Sequence, residues 1–599
     1  MKKKNKKYLI MILSGIFLIL IGYLGYTLFV EDDLKFKKNE EMLLDGAKKY
    51  FEQRPGKLPG VGGYRKLSLE ELYSGNWVED LYLNNKLCSE KSFVRVVNDN
   101  GNYRYTTYLK CGKYESDIDA SSPEIVLNGE STVIVHLNTS YQDLGVKEVK
   151  DNVDKIKKEE VEIDTSKVNT SKVGTYEVTY KVHDKTYNVG KTSRTVIVAE
   201  TLSDNIKRNK GTNYTYTGDI SDNYVLFSGM MFRIVGIDNE GNIKLITDNT
   251  ISNVSYGVED YKDSNVYKWL NEYFYNHLNE KSKKYMKEVT WCYDEQENPG
   301  IIDTCNNSVN AKVGLLSVSE YERAKRDGIS YLVQPTKSVL LNKKTENTVW
   351  INDVYYPNKY NTMKSSDLTG IRPVIVLDKS IFLTGGNGTL EDPFKLQDYT
   401  YGKENEKLNT RLIGEYVHYS GYNFRISDID KDGNIKLTGA DLLTRESISG
   451  FVTVSYKEGN TLKADPNEKD NLYYKLNDEV LNYLKEDFIV SHEFEIPTFQ
   501  NGTKYNEFKK TTITSKISLP ASYEMFSSVN SYSNNNIVYW LSDYTENGMA
   551  TIINTANGLG FSISYKTFPD NGVKPVIYLT KDAKIASGNG SVSNPYYVR

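Results

Sequence analysis

The feature that most constrains the fold is an internal repeat. Tyr224-Val-Leu-Phe-Ser-Gly-Met-Met-Phe-Arg-Ile-Val-Gly-Ile-Asp-Asn-Glu-Gly-Asn-Ile-Lys-Leu245 returns as Tyr416-Val-His-Tyr-Ser-Gly-Tyr-Asn-Phe-Arg-Ile-Ser-Asp-Ile-Asp-Lys-Asp-Gly-Asn-Ile-Lys-Leu437. About two positions in three are identical, far beyond chance. Each copy reads as two strands joined by a turn, with Gly241 or Gly433 where a hairpin needs a positive φ. Further on, Tyr267-Lys-Trp-Leu-Asn271 has a counterpart in Tyr473-Tyr-Lys-Leu-Asn477. Each belongs to an amphipathic helix, with Val266, Leu270, Phe274 and Leu278 on one apolar face and Leu472, Leu476, Val480 and Leu484 on the other copy's. Gly370-Ile-Arg-Pro-Val-Ile-Val-Leu377 matches Gly572-Val-Lys-Pro-Val-Ile-Tyr-Leu579 as a closing strand. Two homologous α+β domains are therefore expected at 205–398 and 399–599, each long enough to bury its own core.

The order of hairpin, helix, Leu315-to-Tyr321 segment, Trp-bearing strand and Gly-x-Arg-Pro ending is similar to a domain of unknown function in surface proteins of low-GC bacteria. Its plan resembles the C-type-lectin and sulfatase-modifying-factor group of folds. The activity of the latter does not carry over, because neither copy has a Cys pair at the required late position. The second copy departs from the first in having Lys574 in place of Arg372, and no cysteine.

At the N-terminus, Lys2, Lys3, Lys4, Lys6 and Lys7 precede an uncharged, largely apolar run from Leu9 to Val30, followed by Glu31, Asp32 and Asp33. As a helix the run spans roughly 33 Å, enough for a bilayer core, and the basic flank orients it with the remainder outside. The competing reading is a cleaved signal peptide, which wants a shorter apolar region and a small-x-small site where Tyr23, Tyr26 and Phe29 stand. A helical pattern continues from Lys35 to Phe51 with Leu43, Ala47, Tyr50 and Phe51 on one face, and strands follow at 92–97 and 103–110. A membrane helix running into a small strand unit that ends at Cys111 resembles a type IV pilin. Gly25-Tyr26-Thr27-Leu28 echoes the pilin processing motif but lies at the far end of the apolar run, where processing would remove the anchor, so pilin processing is not expected.

Beyond a short polar linker, Pro123-Glu-Ile-Val-Leu-Asn-Gly129, Thr132-Val-Ile-Val-His-Leu137, Val173-Gly-Thr-Tyr-Glu-Val-Thr-Tyr-Lys-Val-His-Asp184 and Ser193-Arg-Thr-Val-Ile-Val198 read as strands of a β-sandwich. Asp151-Asn-Val-Asp154 reads as turn material. The string is similar to the Ig-like domain of bacterial cell-surface proteins, whose role is that of a spacer or adhesive module. His136 and His183 are read as strand residues. The four cysteines fall into two local pairs, Cys88 with Cys111 and Cys292 with Cys305, the pattern of disulfides in an oxidising compartment. Four unrelated buried thiols are the alternative.

Little here carries catalysis. The chain has no Gly-x-Ser-x-Gly elbow, His-Glu-x-x-His pair or P-loop. His277, His418 and His492 have no counterparts between copies, and a duplicated enzyme should repeat its acid. Asp428-Ile-Asp-Lys-Asp-Gly-Asn-Ile435 begins like an EF-hand loop, but Gly439 stands where the bidentate Glu belongs. No metal or cofactor is expected. With 75 basic and 79 acidic side chains, no global field recruits nucleic acid. Trp350 and Trp540 occupy equivalent places and are candidates for stacking on a sugar, although their apolar neighbours favour the core; Arg372 is a further ligand candidate.

The expected fold class is thus multidomain, mainly β with α+β parts. A basic flank and transmembrane anchor (1–30) lead to a pilin-like helix plus strands (31–115), an Ig-like β-sandwich (121–200) and the two repeated domains. The expected role is non-catalytic adhesion or binding of a cell-wall or host glycan or a protein at the cell surface, held to the membrane through residues 9–30. The alternatives are a structural part of the envelope acting through the pilin-like base and, as an outsider, an envelope hydrolase.

Overall fold

The structure is a computed structural model that describes residues 16, 31–99, 101–119, 121–333, 337–352, 361–443, 464–469, 471–528, 538–545, 550–554, 562–563 and 572–599. Except for residue 16, the expected membrane anchor at 9–30 lies outside the described residues. Among the described residues no helix is long and apolar enough to cross a membrane. The chain forms two compact units, Met1–Val198 and Ala199–Arg599.

In the first unit, the helix Glu31–Gln53 buries Phe36, Leu43, Ala47, Tyr50 and Phe51, the face its periodicity predicts. It packs on an antiparallel sheet in the order Tyr64–Ser68, Phe93–Asp99, Asn102–Tyr108. Cys88 and Cys111 are bridged beside this core. An Ig-like sandwich follows. One sheet pairs Val146–Lys150 with Glu124–Leu127, and the other runs Glu162–Asp164, Gly174–His183, Val189–Ala199, Thr132–His136. Val178, Val196 and Val198 are fully buried between the sheets because alternate residues of a strand face one side. His136 and His183 each place Nδ1 against the next residue's carbonyl, as strand residues do. Arg194, fully buried, pairs with Asp143 at 2.9 Å, and the Tyr141 and Tyr180 hydroxyls donate to the same carboxylate at 2.6 Å.

The second unit contains the repeat twice in matching topology. In its first half the main sheet runs Val313–Gly314, Val374–Leu377, Ile243–Thr247, Met230–Ile237, Tyr224–Phe227, Phe394–Leu396, Leu383–Gly385. In the second half Val576–Leu579, Ile435–Gly439, Tyr422–Ile429, Tyr416–Tyr419, Tyr596–Val598 and Ile585–Ser587 follow in the same order. Registers agree: Ile243 faces Leu377 and Ile435 faces Leu579, and both hairpins carry a register shift at one place, Ile234/Gly236 and Ile426/Asp428. The turns are hairpins, with φ +95° at Gly241 and +87° at Gly433. In the second, Asp430 accepts from the Asp432 and Asn434 backbone amides, so the EF-hand-like stretch is spent on its own turn. Both helices bury the predicted face and both widen into a π-helical turn, Trp269–Phe274 and Leu476–Val480.

The cores of the halves are not self-contained. Phe232 and Phe424 each sit in the core of their own half. Yet the first core also takes in Phe499, Phe508, Tyr523, Met525 and Phe526 from the second half. Hydrogen bonds seal the exchange: Trp269 Nε1 donates to the Tyr523 carbonyl at 2.7 Å and the Tyr505 amide to Asn265 at 2.8 Å.

Candidate functional site

The sequence-derived ligand candidates are buried. Trp350 is 3% exposed and donates to the Gln296 carbonyl at 2.6 Å, and Trp540 is 1% exposed. Neither ring face is open for stacking, because both strands lie inside the core. Arg372 is equally buried and donates to the Thr247, Asp248 and Leu332 carbonyls. Five donors in a rigid fork suit it to gathering loose backbone acceptors, a structural task. Lys574, at the same place in the second half, bonds the Ser528 carbonyl at 2.9 Å under the Tyr539 ring. The second cysteine pair, Cys292–Cys305, is bridged.

What the halves share instead is a Lys–Glu pair at the floor of a cleft. Lys244 on the strand Ile243–Thr247 donates to Glu320 at the start of the short helix Val318–Arg323. Glu320 also accepts from the Ser317 amide at 3.0 Å, closing a capping box with that serine. In the second half Lys436 donates to Glu524, and Glu524 accepts from the Ala521 amide at 3.1 Å. Burial works to raise the Glu320 carboxyl, but the Lys244 ammonium and the Ser317 donors outweigh it and hold it below its ordinary value. Burial likewise works to lower Lys436, and Glu524 overrides it, leaving the ammonium above its ordinary value. In each pair the partner thus favours the charged form, of Glu320 in the first half and of Lys436 in the second.

The two clefts differ in size and lining. The first, about 240 Å³, is walled by the Cys292–Cys305 loop, Asp294, Asp303 and Arg323, and mixes charged with neutral polar side chains. The second, about 520 Å³, is walled by Tyr505, Tyr523, Tyr578, Phe494 and His492 from the second half and Tyr273 from the first. Tyr273 meets Tyr505 and Tyr523 edge-on with ring centres 5.9 Å apart in each case. His492 lies flat on Tyr578 at 3.7 Å and reaches Asp430 at 3.1 Å. Burial pushes the Tyr505 and Tyr578 phenols up to about 12, so both remain neutral hydroxyls that donate and accept. Lys510, paired with Glu495 at 2.5 Å, stands at the rim. Aromatic rings and phenol hydroxyls set among charged side chains, Asp428, Lys436, Glu493, Glu495, Lys510 and Glu524, give a lining that can both stack and hydrogen-bond.

None of these aromatic residues stands out in the sequence, where Tyr is common throughout. The repeated acid was open to view: aligning Leu315 to Glu320 with Leu519 to Glu524 places the two glutamates together. The cleft itself was not, since Tyr273 and Tyr505 are more than two hundred positions apart.

Among curated proteins, none matches this chain. Among solved structures, a lipoprotein from Bacteroides thetaiotaomicron is 14% identical, over 43% of this chain and 100% of that one, with a TM-score of 0.13. The CBM51-2 domain, in complex with GlcNAc, and the INT domains of Clostridium perfringens ZmpB are 13% identical, over 46% of this chain and 49% of that one, with a TM-score of 0.12. The chain thus spans the whole of the lipoprotein and about half of the second structure, and scores at this level define no shared fold. Family models give firmer matches: "Bacterial surface protein, Ig-like domain" over residues 125–198, and "Domain of unknown function (DUF6273)" over residues 240–379. The chain carries a bacterial surface Ig-like domain followed by a DUF6273 domain.

Proposed function

We propose that this is a non-catalytic binding protein of the bacterial cell surface, anchored through residues 9–30, that takes a glycan in the aromatic cleft above Lys436 and Glu524. The observation that carries the reading is the lining of that cleft: tyrosine rings and neutral hydroxyls beside the Lys436–Glu524 ion pair. The surface Ig-like domain and the uncharged run from Leu9 to Val30 support the location. The repeated acid expected of a duplicated enzyme is present as Glu320 and Glu524, so the non-catalytic part of the reading rests on the ion pair that engages each of them. Glu320 is held ionised by its lysine, which makes it a poor proton donor at neutral pH.

A glycan array and a peptidoglycan pull-down with the full chain in detergent test the reading. Retention of a defined glycan is expected, with about a tenfold loss of affinity, about 1.4 kcal/mol, on Tyr505→Ala. Lys510→Ala, at the exposed rim, checks the same cleft without touching the core. Failure to retain any glycan, or retention unchanged in both variants, overturns it. Sugar release by the wild-type chain overturns the non-catalytic part alone.

A further inference from the structure

Three carboxylates meet at one end of the Ig-like domain. One oxygen each of Asp119, Asp151 and Asp184 lies within 4.8 Å of the other two. Asp119 stands on the chain entering the domain, Asp151 follows the strand Val146–Lys150, and Asp184 follows the strand Gly174–His183. Each is oriented by donors on its own loop. Asp119 Oδ1 accepts from the Ser121 amide at 3.0 Å, and Asp151 Oδ1 from the Val153 and Asp154 amides at 3.0 and 2.7 Å. Asp184 accepts from the Asn188 amide at 2.7 Å, the Asn188 side chain at 2.6 Å and the Thr186 hydroxyl at 3.0 Å.

The other oxygens of Asp119 and Asp151 reach neither solvent nor any donor. It is this sealing, more than the clustering, that calls for a cation, because a carboxylate oxygen shut off from water and from donors is destabilised unless a positive charge meets it. Arg95 supplies part of that charge. Its guanidinium bonds Asn188 and is drawn by Asp184 and Asp119. Lys185 is committed to Asp154 at 3.1 Å. One arginine against three carboxylates leaves a net charge of −2.

We infer that Asp119, Asp151 and Asp184 form a binding site for a divalent, oxygen-coordinated cation, of which calcium is the best fit. Oxygens within 4.8 Å of one another can share an ion at the roughly 2.3–2.6 Å that Ca²⁺ prefers. The donors are all hard oxygens, and Ca²⁺ tolerates irregular geometry where Mg²⁺ demands a tight octahedron. Bound there, the ion ties the entering chain at Asp119 to two turns of the sandwich. Asp151-Asn-Val-Asp154, turn material by sequence, then supplies a ligand as well as a turn.

The test is calorimetric titration of the EDTA-treated full chain with CaCl2. Saturable binding of one ion is expected, with a dissociation constant on the order of 0.1–1 mM or tighter, the range of extracellular modules. Asp151→Asn keeps an acceptor for the turn amides and removes the charge, and should weaken binding by about tenfold or more. Asp430→Asn, in the EF-hand-like turn of the other unit, should leave binding unchanged. No saturable binding by the wild-type chain up to about 10 mM overturns the inference whatever the variants do. So does binding that survives Asp151→Asn or is lost with Asp430→Asn, and so does selection of Mg²⁺ over Ca²⁺.

Discussion

Position 574 shows how one exchanged side chain changes the electrostatics of a shared core. Arg372 spends its donors on three carbonyls, whereas Lys574 has the Ser528 carbonyl and the Tyr539 ring. Burial, then the nearby Arg425 charge, pushes the Lys574 ammonium down to about 7. The unfolded chain keeps that proton up to about 10.4, so between pH 7 and 10 it binds more protons than the folded one, and stability rises with pH. Lys574→Met should therefore raise the denaturation midpoint at pH 7 and flatten its climb toward pH 10, as followed by urea unfolding at several pH values. The Lys436–Glu524 pair should behave differently, because both partners are well buried. Lys436→Met alone strands a carboxylate and should cost about 3 kcal/mol or more, while adding Glu524→Leu should recover most of it. A double-mutant cycle in urea checks this, and an uncoupled pair would show additive losses. Lys436 and Glu524 each have a counterpart in the first copy, Lys244 and Glu320, but nothing local in the sequence says that the two charges meet.

Elements were more legible than residues. The apolar stripe Val266, Leu270, Phe274, Leu278 marks the buried helix face directly, and Gly241 and Gly433 mark their turns. The π-helical turn within each helix was not legible, and the reason lies across the fold. Asn271 on that turn accepts from the Val313 amide at 3.2 Å and donates to the Val313 carbonyl at 3.1 Å. Asn477 does the same for Ile517, at 2.9 and 3.0 Å. Each asparagine thereby completes the unpaired backbone of a short strand. Asn271→Ala and Asn477→Ala should each destabilise the protein by about 1–3 kcal/mol, and by similar amounts, since each leaves a buried donor and acceptor unmet. Thermal melts of the two variants provide the comparison. Reduction of Cys292–Cys305 should cost about 2–4 kcal/mol, and a Cys292→Ala/Cys305→Ala chain should melt correspondingly lower.

For the whole molecule, the repeat predicts two similar folds but not how they share residues. Phe499, Phe508, Tyr523, Met525 and Phe526 complete the first half's core from the second. The Phe526 amide donates to the Ile251 carbonyl, and the Asn253 amide to that of Ser522. A fragment ending at residue 398 should lose these contacts, expose Trp269, and unfold well below the 199–599 fragment or aggregate. Scanning calorimetry of both fragments decides it: equal melting temperatures would mean independent halves, while one transition for 199–599 would mean a single cooperative body.

The sequence by itself determined the repeat, the strand and helix faces, the hairpin turns and the local cysteine pairs. Each of these is written in spacings of a few residues, or in direct self-similarity, because pleat, helix period and positive-φ turns are local constraints. Only the tertiary structure decided that Trp350 and Trp540 are core residues, that one lysine and one glutamate pair in each half, and that Tyr273 crosses to Tyr505 and Tyr523 to wall a cleft. Burial and long-range contact depend on how the whole chain returns on itself. Two side chains of ordinary type become a site only where packing removes water from both and holds them at a fixed distance.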